Sequence, residues 1–192
     1  MLFEKILSNK NKLIDGPLLI TNKKFYDERG FFMESYNQKE FNEVVKSPLN
    51  FIQDNHSKSK GNVLRGMHYQ LPPFDQGKLV KCISGEIFDA IVDLRKSSNT
   101  FLNWAGIYLD DKLNKQLWIP SGFAHGFLAI SNSVEILYKT TSYWHKDYER
   151  SLRWNDPSIN LKWPIEKGGP FLSEKDQNAP LLKNISQSEL FI

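Results

Sequence analysis

Short runs of strand-forming residues, separated by turn signals, recur along most of the chain. The turn signals include Asp15-Gly16-Pro17, Ser84-Gly85 and Pro120-Ser121-Gly122. Many short strands at this spacing are typical of a β-sandwich or barrel and not of alternating βαβ units. The predicted strands cover residues 18–21, 31–36, 51–56, 63–69, 79–83, 86–94, 104–109, 116–119, 123–130 and 134–143.

The segment 86–95 shows the clearest alternation of side chains. One parity, from Phe88 to Leu94, is wholly apolar and predicts a face in the core. The other parity mixes two isoleucines with Asp89 and Asp93. A mixed face of this kind indicates either a lined pocket or a partly wet surface.

Helical signals are few. A helix is predicted over residues 38–45, with Asn37 as its N-cap, and a short one is predicted to begin at Ser173. We expect a single domain in which residues 1–164 form the barrel, including the N-terminal strands. Residues 165–192 are expected to be a C-terminal extension that packs on it.

Composition fits this picture and excludes several classes of protein. Of 192 residues, 40% are hydrophobic and 24% are charged, which is ordinary for a soluble globular domain. The net charge of +3 is too small to indicate a nucleic-acid partner. No apolar stretch approaches the ~20 residues of a membrane span, and no signal peptide is expected. The single cysteine, Cys82, fits a reducing cytoplasm.

The densest group of reactive residue types lies on consecutive predicted strands. It comprises the segments 53–57, 63–70 and 76–80, which contain His68 and Lys78. A histidine can act as a base near neutral pH, and an ammonium group can stabilise an oxyanion. The pair therefore suits proton removal beside a carbonyl. Spacing alone leaves open the alternative that these are ordinary polar residues at strand edges.

Strict alternation does not place Arg65 and His68 on one face of their strand. His68 shares its parity with Gly66 and Gln70, whereas Arg65 shares its parity with Met67. For both Arg65 and His68 to face a ligand, the strand needs a bulge near Gly66, or Arg65 must lie at the rim.

Two further residues are candidates for the same cavity. His125 follows the tight turn at 120–122, and its spacing alone favours a buried histidine that bonds to backbone groups over a functional one. Tyr138 lies on a predicted strand face with apolar neighbours, so it either fills the core or presents its hydroxyl as an acid.

Metal and cofactor sites are not expected. The histidines His56, His68, His125 and His145 form no H-x-H pair and have no carboxylate at ligand spacing. No phosphate-binding glycine motif of the Rossmann or P-loop kind occurs. We expect no metal and no cofactor.

Seven motifs in order along residues 15–180 identify a resemblance to a known family. They are DERGFF (27–32), QDNHS (53–57), VLRGMH (63–68), QGKLV (76–80), IP with GFAHGF (119–127), LYK (137–139) and WNDP (154–157). Together they closely resemble the dTDP-4-dehydrorhamnose 3,5-epimerases, metal-free members of the cupin superfamily. The resemblance implies an all-β, double-stranded β-helix (jelly-roll, cupin-like) barrel with a few short helices. It also implies a cytoplasmic homodimer that acts on a dTDP-linked 4-keto-6-deoxysugar.

The resemblance also implies roles for individual residues. His68 matches the base, Asp176 its acidic partner, Tyr138 the proton donor on the opposite face of the sugar, and Lys78 the cation beside the ketone oxygen. Two of the binding positions, Arg29 and Glu34, are expected to reach into the partner subunit's site. The positions that match nucleotide, phosphate or sugar contacts are Arg29, Glu34, Gln53, Asn55, Arg65, His125, Glu149 and Lys175.

One position departs from the family pattern. Trp144 stands where the family usually has a tyrosine that stacks on the sugar, although Tyr143 is an alternative match. Enzymes that epimerise one carbon differ in this region of the pocket. The alternatives to double epimerisation are therefore a single-site epimerase, a 3,4-ketoisomerase, and a nucleotide-sugar-binding module without activity. A metal-dependent cupin oxygenase is the most distant alternative.

Overall fold

A computed structural model describes residues 2–165 and 167–192 of the chain. Strands dominate, with one two-turn helix, α1 (Gln38–Val45), one short helix, α2 (Glu174–Gln177), and three single 3₁₀ turns within these residues. The strands are β1 (Leu2–Leu7), β2 (Leu13–Thr21), β3 (Lys24–Asp27), β4 (Gly30–Met33), β5 (Gln53–Lys60), β6 (Leu64–Gln70), β7 (Lys78–Ser84), β8 (Glu86–Asp93), β9 (Trp104–Asp110), β10 (Lys115–Ile119), β11 (Phe123–Ala129), β12 (Ser133–Thr140) and β13 (Glu149–Ser151).

Eleven of these thirteen strands form two antiparallel sheets that pack face to face, and β3 pairs with β4 in a separate hairpin. One has six strands in the order β1-β2-β10-β7-β12-β5, and the other has five in the order β13-β6-β11-β8-β9. This is a jelly-roll sandwich, so the predicted fold class is confirmed. Over the described residues the two sheets do not close into a barrel, and one end of the space between them remains open as a cavity.

Alternation along the strands decides what lies between the sheets. Val80 and Ile136 from the six-stranded sheet meet Ile87, Ile91 and others from the five-stranded sheet in one buried cluster. The strand β8 is buried on both faces, and Asp89 and Asp93 have no exposed surface. The mixed face of β8 therefore lies in the protein interior and is not exposed to solvent.

The outer face of each sheet is covered by a different part of the chain. On the six-stranded sheet, Phe41 of α1 is fully buried with Trp118. The predicted bounds of α1 are correct, and the Asn37 side chain accepts hydrogen bonds from the amides of Lys39 and Glu40. A cap of this kind contributes about 1 kcal/mol. On the five-stranded sheet, Ile185 and other residues of the C-terminal segment cover a second apolar cluster.

Three strands were not predicted from the sequence. β1 is an edge strand in which only Ile6 is buried, and β3 and β13 have three or four residues. The predicted strand 31–36 ends earlier, at Met33, and the strand 134–143 ends at Thr140. No helix in residues 2–165 or 167–192 has the length and apolar character to cross a membrane.

Candidate active site

A cavity of about 500 Å³ opens between the two sheets, and the C-terminal segment forms part of its wall. Residues from both sheets line it together with the segment 171–176. Six of the sequence-predicted site residues lie on its surface: Arg65, His68, Lys78, His125, Tyr138 and Asp176.

A bulge in β6 allows Arg65 and His68 to face the same cavity. In the pairing of β6 with β11, His68 lies opposite His125 and Arg65 lies opposite Phe127, so β6 contains one residue more than its partner. Gly66 occupies this position with a φ of 125°, and a Cβ there would lie 2.5 Å from the Cα of Gly126. Only glycine tolerates both conditions. The conflict in strand phase that the sequence presents is resolved in this way.

His68 is bonded to a carboxylate from the far end of the chain. Its Nε2 lies 2.6 Å from Oδ1 of Asp176, whose side chain is 4% exposed. Burial alone raises the pKa of Asp176, but the hydrogen bond and charge of His68, with the Ser173 side chain and the Gly66 amide, lower it below its ordinary value. The carboxylate is therefore ionised at neutral pH. Its hydrogen bond to Nε2 fixes the imidazole in one orientation, and Nδ1 is the ring nitrogen that Asp176 does not engage.

His125 belongs to a second pair of the same kind. Its Nε2 lies 2.6 Å from Oδ1 of Asp89, which is fully buried on β8. Spacing alone favours a buried histidine bonded to backbone groups; the histidine is largely buried, but its partner is a side-chain carboxylate. Since His125 and His68 are direct cross-strand neighbours, two histidine–aspartate pairs lie side by side on one wall.

Lys78 enters the cavity from the six-stranded sheet. Burial lowers its pKa to about 8, although the charges of Asp89 and Glu149 oppose this effect, and the charge of Lys175 adds to it. The side chain is therefore mostly an ammonium group at neutral pH. A cation in a poorly solvated cavity stabilises a developing negative charge strongly.

Tyr138 projects from β12 into the same cavity. Burial raises the pKa of its hydroxyl, the charge of Arg65 opposes this effect by a smaller amount, and the charge of Glu149 adds to it. The phenol therefore keeps its proton at neutral pH and has one to donate. β12 belongs to the six-stranded sheet and β6 to the five-stranded sheet, so Tyr138 and His68 stand on opposite walls.

The other predicted contact residues of this region are not among those that line the cavity: Gln53, Asn55, Trp144, Glu149 and Lys175. Lys175 Nζ lies 2.7 Å from Glu149 Oε2, which ties the C-terminal segment to β13. On β5, the Gln53 side-chain amide donates to Asn55 Oδ1 at 2.9 Å, and Gln53 Oε1 accepts from the Trp144 amide at 3.0 Å. The Trp144 side chain is exposed.

Arg29 and Glu34 lie away from the cavity of their own chain. Arg29 sits at the tip of the β3–β4 hairpin with 85% of its side chain exposed, bonded only locally to Asp27. Glu34 follows β4 and is also exposed, and its Oε1 accepts a hydrogen bond from Asn37.

Three residues of the site were not selected from the sequence. Asp89 was noted only as part of a mixed strand face, and its pairing with His125 depends on the alignment of β8 with β11. Ser57 lines the cavity with a hydroxyl that has no described partner, although it stands within the QDNHS motif. Phe171 forms part of the cavity wall from the segment before α2. Among residues 2–165 and 167–192, no group of three or more His, Cys, Asp or Glu side chains is arranged to hold a metal ion.

Comparison with known proteins gives consistent matches along nearly the whole chain. A family model described as dTDP-4-dehydrorhamnose 3,5-epimerase matches residues 11–184. A protein of that name from Shigella flexneri is 55% identical over 165 residues, covering 86% of this chain and 90% of its own length.

Solved structures agree with these matches. The dTDP-6-deoxy-D-glucose-3,5-epimerase of Legionella pneumophila, crystallised with dTDP-4-keto-L-rhamnose, superposes with a TM-score of 0.91 at 40% identity over 99% of this chain and 98% of its own. A 3'-monoepimerase from Streptomyces bikiniensis with dTDP-quinovose gives 0.82 at 30% identity over 88% and 85%.

Proposed function

The chain belongs to the dTDP-4-dehydrorhamnose 3,5-epimerase family, and from this premise we propose how its own residues perform the reaction. The protein is an isomerase that inverts C3 and C5 of dTDP-4-dehydro-6-deoxy-D-glucose to give dTDP-4-dehydro-L-rhamnose. Both carbons flank the C4 ketone, so their hydrogens are acidic. Each inversion requires a base on one face of the sugar and an acid on the other.

The placement of a base and an acid on opposite walls of one cavity is the observation that carries the proposed mechanism. His68, held by Asp176, removes the proton beside the ketone. Tyr138, on the facing sheet, returns a proton to the opposite face of the same carbon. Since the proton leaves from one side and arrives on the other, the centre inverts.

Lys78 supplies the stabilisation that the step between these two events requires. Removal of the proton moves negative charge onto O4 of the sugar. An ammonium group directed at that oxygen binds the enolate more strongly than the ketone, which lowers the barrier. Lys78 lies in the same cavity as His68 and Tyr138, which supports this role.

The nucleotide half of the substrate suits the rim of the cavity. Arg65 lines the cavity, Lys175 is next in sequence to the lining residue Asp176, and both are exposed cations. Guanidinium and ammonium groups bind pyrophosphate through charge-assisted hydrogen bonds. Gln53 and Asn55 offer amides next to Tyr138 on the neighbouring strand. Binding energy from these remote contacts orients the sugar against the acid and the base.

The β3–β4 hairpin supports a homodimer in which one subunit completes the site of the other. The hairpin pairs with neither large sheet, and a two-stranded hairpin alone is marginally stable. Its Phe25, Tyr26, Phe31 and Phe32 side chains are 52% to 71% exposed in the single chain. A partner subunit that covers them would receive Arg29 and Glu34 at its cavity. The unpaired, buried Cys82 fits the cytoplasm as the compartment.

Heavy water provides the test of the function. When the protein is incubated with dTDP-4-dehydro-6-deoxy-D-glucose in D₂O, we expect deuterium at both C3 and C5 of the product, located by NMR. Each inversion takes its new proton from a group in exchange with solvent. Label at C3 alone would instead favour the single-site alternative, which the similarity to a 3'-monoepimerase keeps relevant. Movement of the carbonyl would indicate a ketoisomerase, and no label would leave only a binding module.

Tyr138→Phe is expected to separate exchange from inversion. The variant keeps His68, so it still removes protons and washes solvent deuterium into the substrate. Without the phenol it lacks the acid on the opposite face, so we expect inversion to fall by about 10²-fold or more. The measurement compares deuterium in recovered substrate with that in product. Tyr108→Phe is the control, because Tyr108 is exposed on the edge strand β9 and does not line the cavity. Equal loss of both rates would contradict the role of Tyr138 as the acid.

A further inference from the structure

Asp89 is a buried carboxylate that the mechanism above does not use. It lies in the centre of β8, opposite Phe127 of β11 and Ile107 of β9, and has no exposed surface. Oδ1 bonds to His125 Nε2 at 2.6 Å, whereas Oδ2 is buried and has no hydrogen-bond partner among the described residues.

Such a group is costly to the fold. A buried carboxylate with an unsatisfied oxygen destabilises a protein unless nearby positive charge or hydrogen bonds compensate it. The adjacent members of the same strand face, Ile87 and Ile91, are apolar and fully buried. An apolar residue at position 89 would continue that face.

A hydrogen-bond partner and a cation in the cavity provide that compensation. His125 is the direct partner, and Lys78 approaches from the facing sheet within the electrostatic reach of Asp89. Among the described residues, no carboxylate lies within ion-pair distance of Lys78. The negative charges that favour its ammonium form against the effect of burial therefore lie farther away.

We propose that Asp89 is a positioning residue of the epimerase, which acts through His125 and Lys78 as the buried anion that they share. It holds the His125 ring in place on the wall beside His68, and it keeps the ammonium form of Lys78 available to the developing oxyanion. This proposal rests on the function proposed above, although its central test does not depend on turnover.

The charged groups around Lys78 come from several elements. Asp89 on β8 and Glu149 on β13 favour its ammonium form, while Lys175 on α2 opposes it. The same cavity also contains Arg65 and His68 from β6, His125 from β11, Tyr138 from β12 and Asp176 from α2. After burial itself, the charge of Asp89 has the largest effect on the pKa of Lys78.

The test follows the titration of Lys78 directly. In full-length protein labelled with [ε-¹³C]lysine, the Lys78 resonance is assigned as the signal absent from Lys78→Met. We expect a wild-type midpoint near pH 8, because burial lowers the pKa of Lys78 to about 8. Asp89→Asn removes the charge and keeps the shape, so the midpoint should move down by on the order of one pH unit. The alkaline limb of kcat/KM should move down with it.

A matched control comes from the same strand. Asp93 is equally buried, but its carboxylate bonds to Arg95, Ser98 and Thr100. Asp93→Asn should therefore reduce the thermal stability and leave the Lys78 midpoint where it is. An unchanged midpoint in Asp89→Asn, or an equal shift in Asp93→Asn, overturns the proposal.

A second variant covers the case in which Asp89→Asn fails to fold. His125→Gln leaves the Asp89 carboxylate in place and removes the imidazole, so the Lys78 midpoint should stay the same or rise, and a fall contradicts the proposal. Failure of the two proposals is distinguishable. A protein that puts no deuterium into product but shows the shifted midpoint loses the epimerase function and keeps the link between Asp89 and Lys78. Deuterium in the product without the shifted midpoint would keep the epimerase function and refute only the proposed role of Asp89.

Discussion

Replacing His68 with alanine is expected to lower kcat by on the order of 10³–10⁴-fold while the protein remains folded. The imidazole lines the cavity and is bonded to a carboxylate from α2 at 2.6 Å, and it is the group to which the proposed mechanism assigns proton removal. Because the ring is 26% exposed, its loss opens no closed cavity. The rate of conversion of the 4-keto sugar, followed by NMR, provides the measurement.

The loss of the ring also leaves Asp176 buried without its partner, which reduces stability. His68→Gln keeps a donor that can reach this carboxylate, so it separates lost chemistry from lost stability: activity should be as low as in the alanine variant, with a higher melting temperature. His56→Ala is the control, since His56 faces outward on β5 beside Glu135. Near-normal turnover in either His68 variant would exclude the proposed base.

Lys78→Met is expected to produce the second large loss, about 10²–10³-fold in kcat. Methionine preserves much of the length and apolar stem of lysine but cannot stabilise charge on O4. The wild-type rate should also fall as the pH rises through about 8, because the ammonium form is lost there. In the variant this alkaline limb should disappear, since the Tyr138 hydroxyl keeps its proton to higher pH.

The control for this variant lies on the same strand. Lys81 stands three residues along β7 with the opposite strand parity, in the groove on the outer face of the six-stranded sheet. Lys81→Met should keep both the rate and the pH dependence of the wild type. A Lys78→Met enzyme that retains the alkaline limb would show that another group titrates near pH 8.

Local sequence predicts much of this architecture. The elements that it does not predict lack a local signal for physical reasons. The helix α1 is predictable because Asn37 caps it and its apolar edge contains Phe41. The strand β1 is not, because an edge strand with five of six residues exposed carries little alternation. The bulge at Gly66 was inferable as a conflict between Arg65 and His68, although only the pairing with β11 shows how the chain resolves it.

The candidate site likewise contains residues that local sequence predicts and residues that it does not. His68, Lys78 and Tyr138 stand on recognisable strands, so their proximity follows from a sheet sandwich. No local pattern connects His68 with Asp176, which lies 108 residues later, and that pairing came from family resemblance. Asp89 escaped selection because it shares its strand face with a second aspartate, Asp93, and only the neighbouring His125 distinguishes it.

The distance in sequence between His68 and Asp176 has a consequence for biosynthesis. During translation, the strand that contains the imidazole leaves the ribosome long before the carboxylate that orients it. On the proposed mechanism, the nascent polypeptide has no competent base until its last segment docks against the five-stranded sheet. Incomplete chains released early would therefore be inert towards the keto sugar, and catalytic competence would itself report that synthesis had passed position 176.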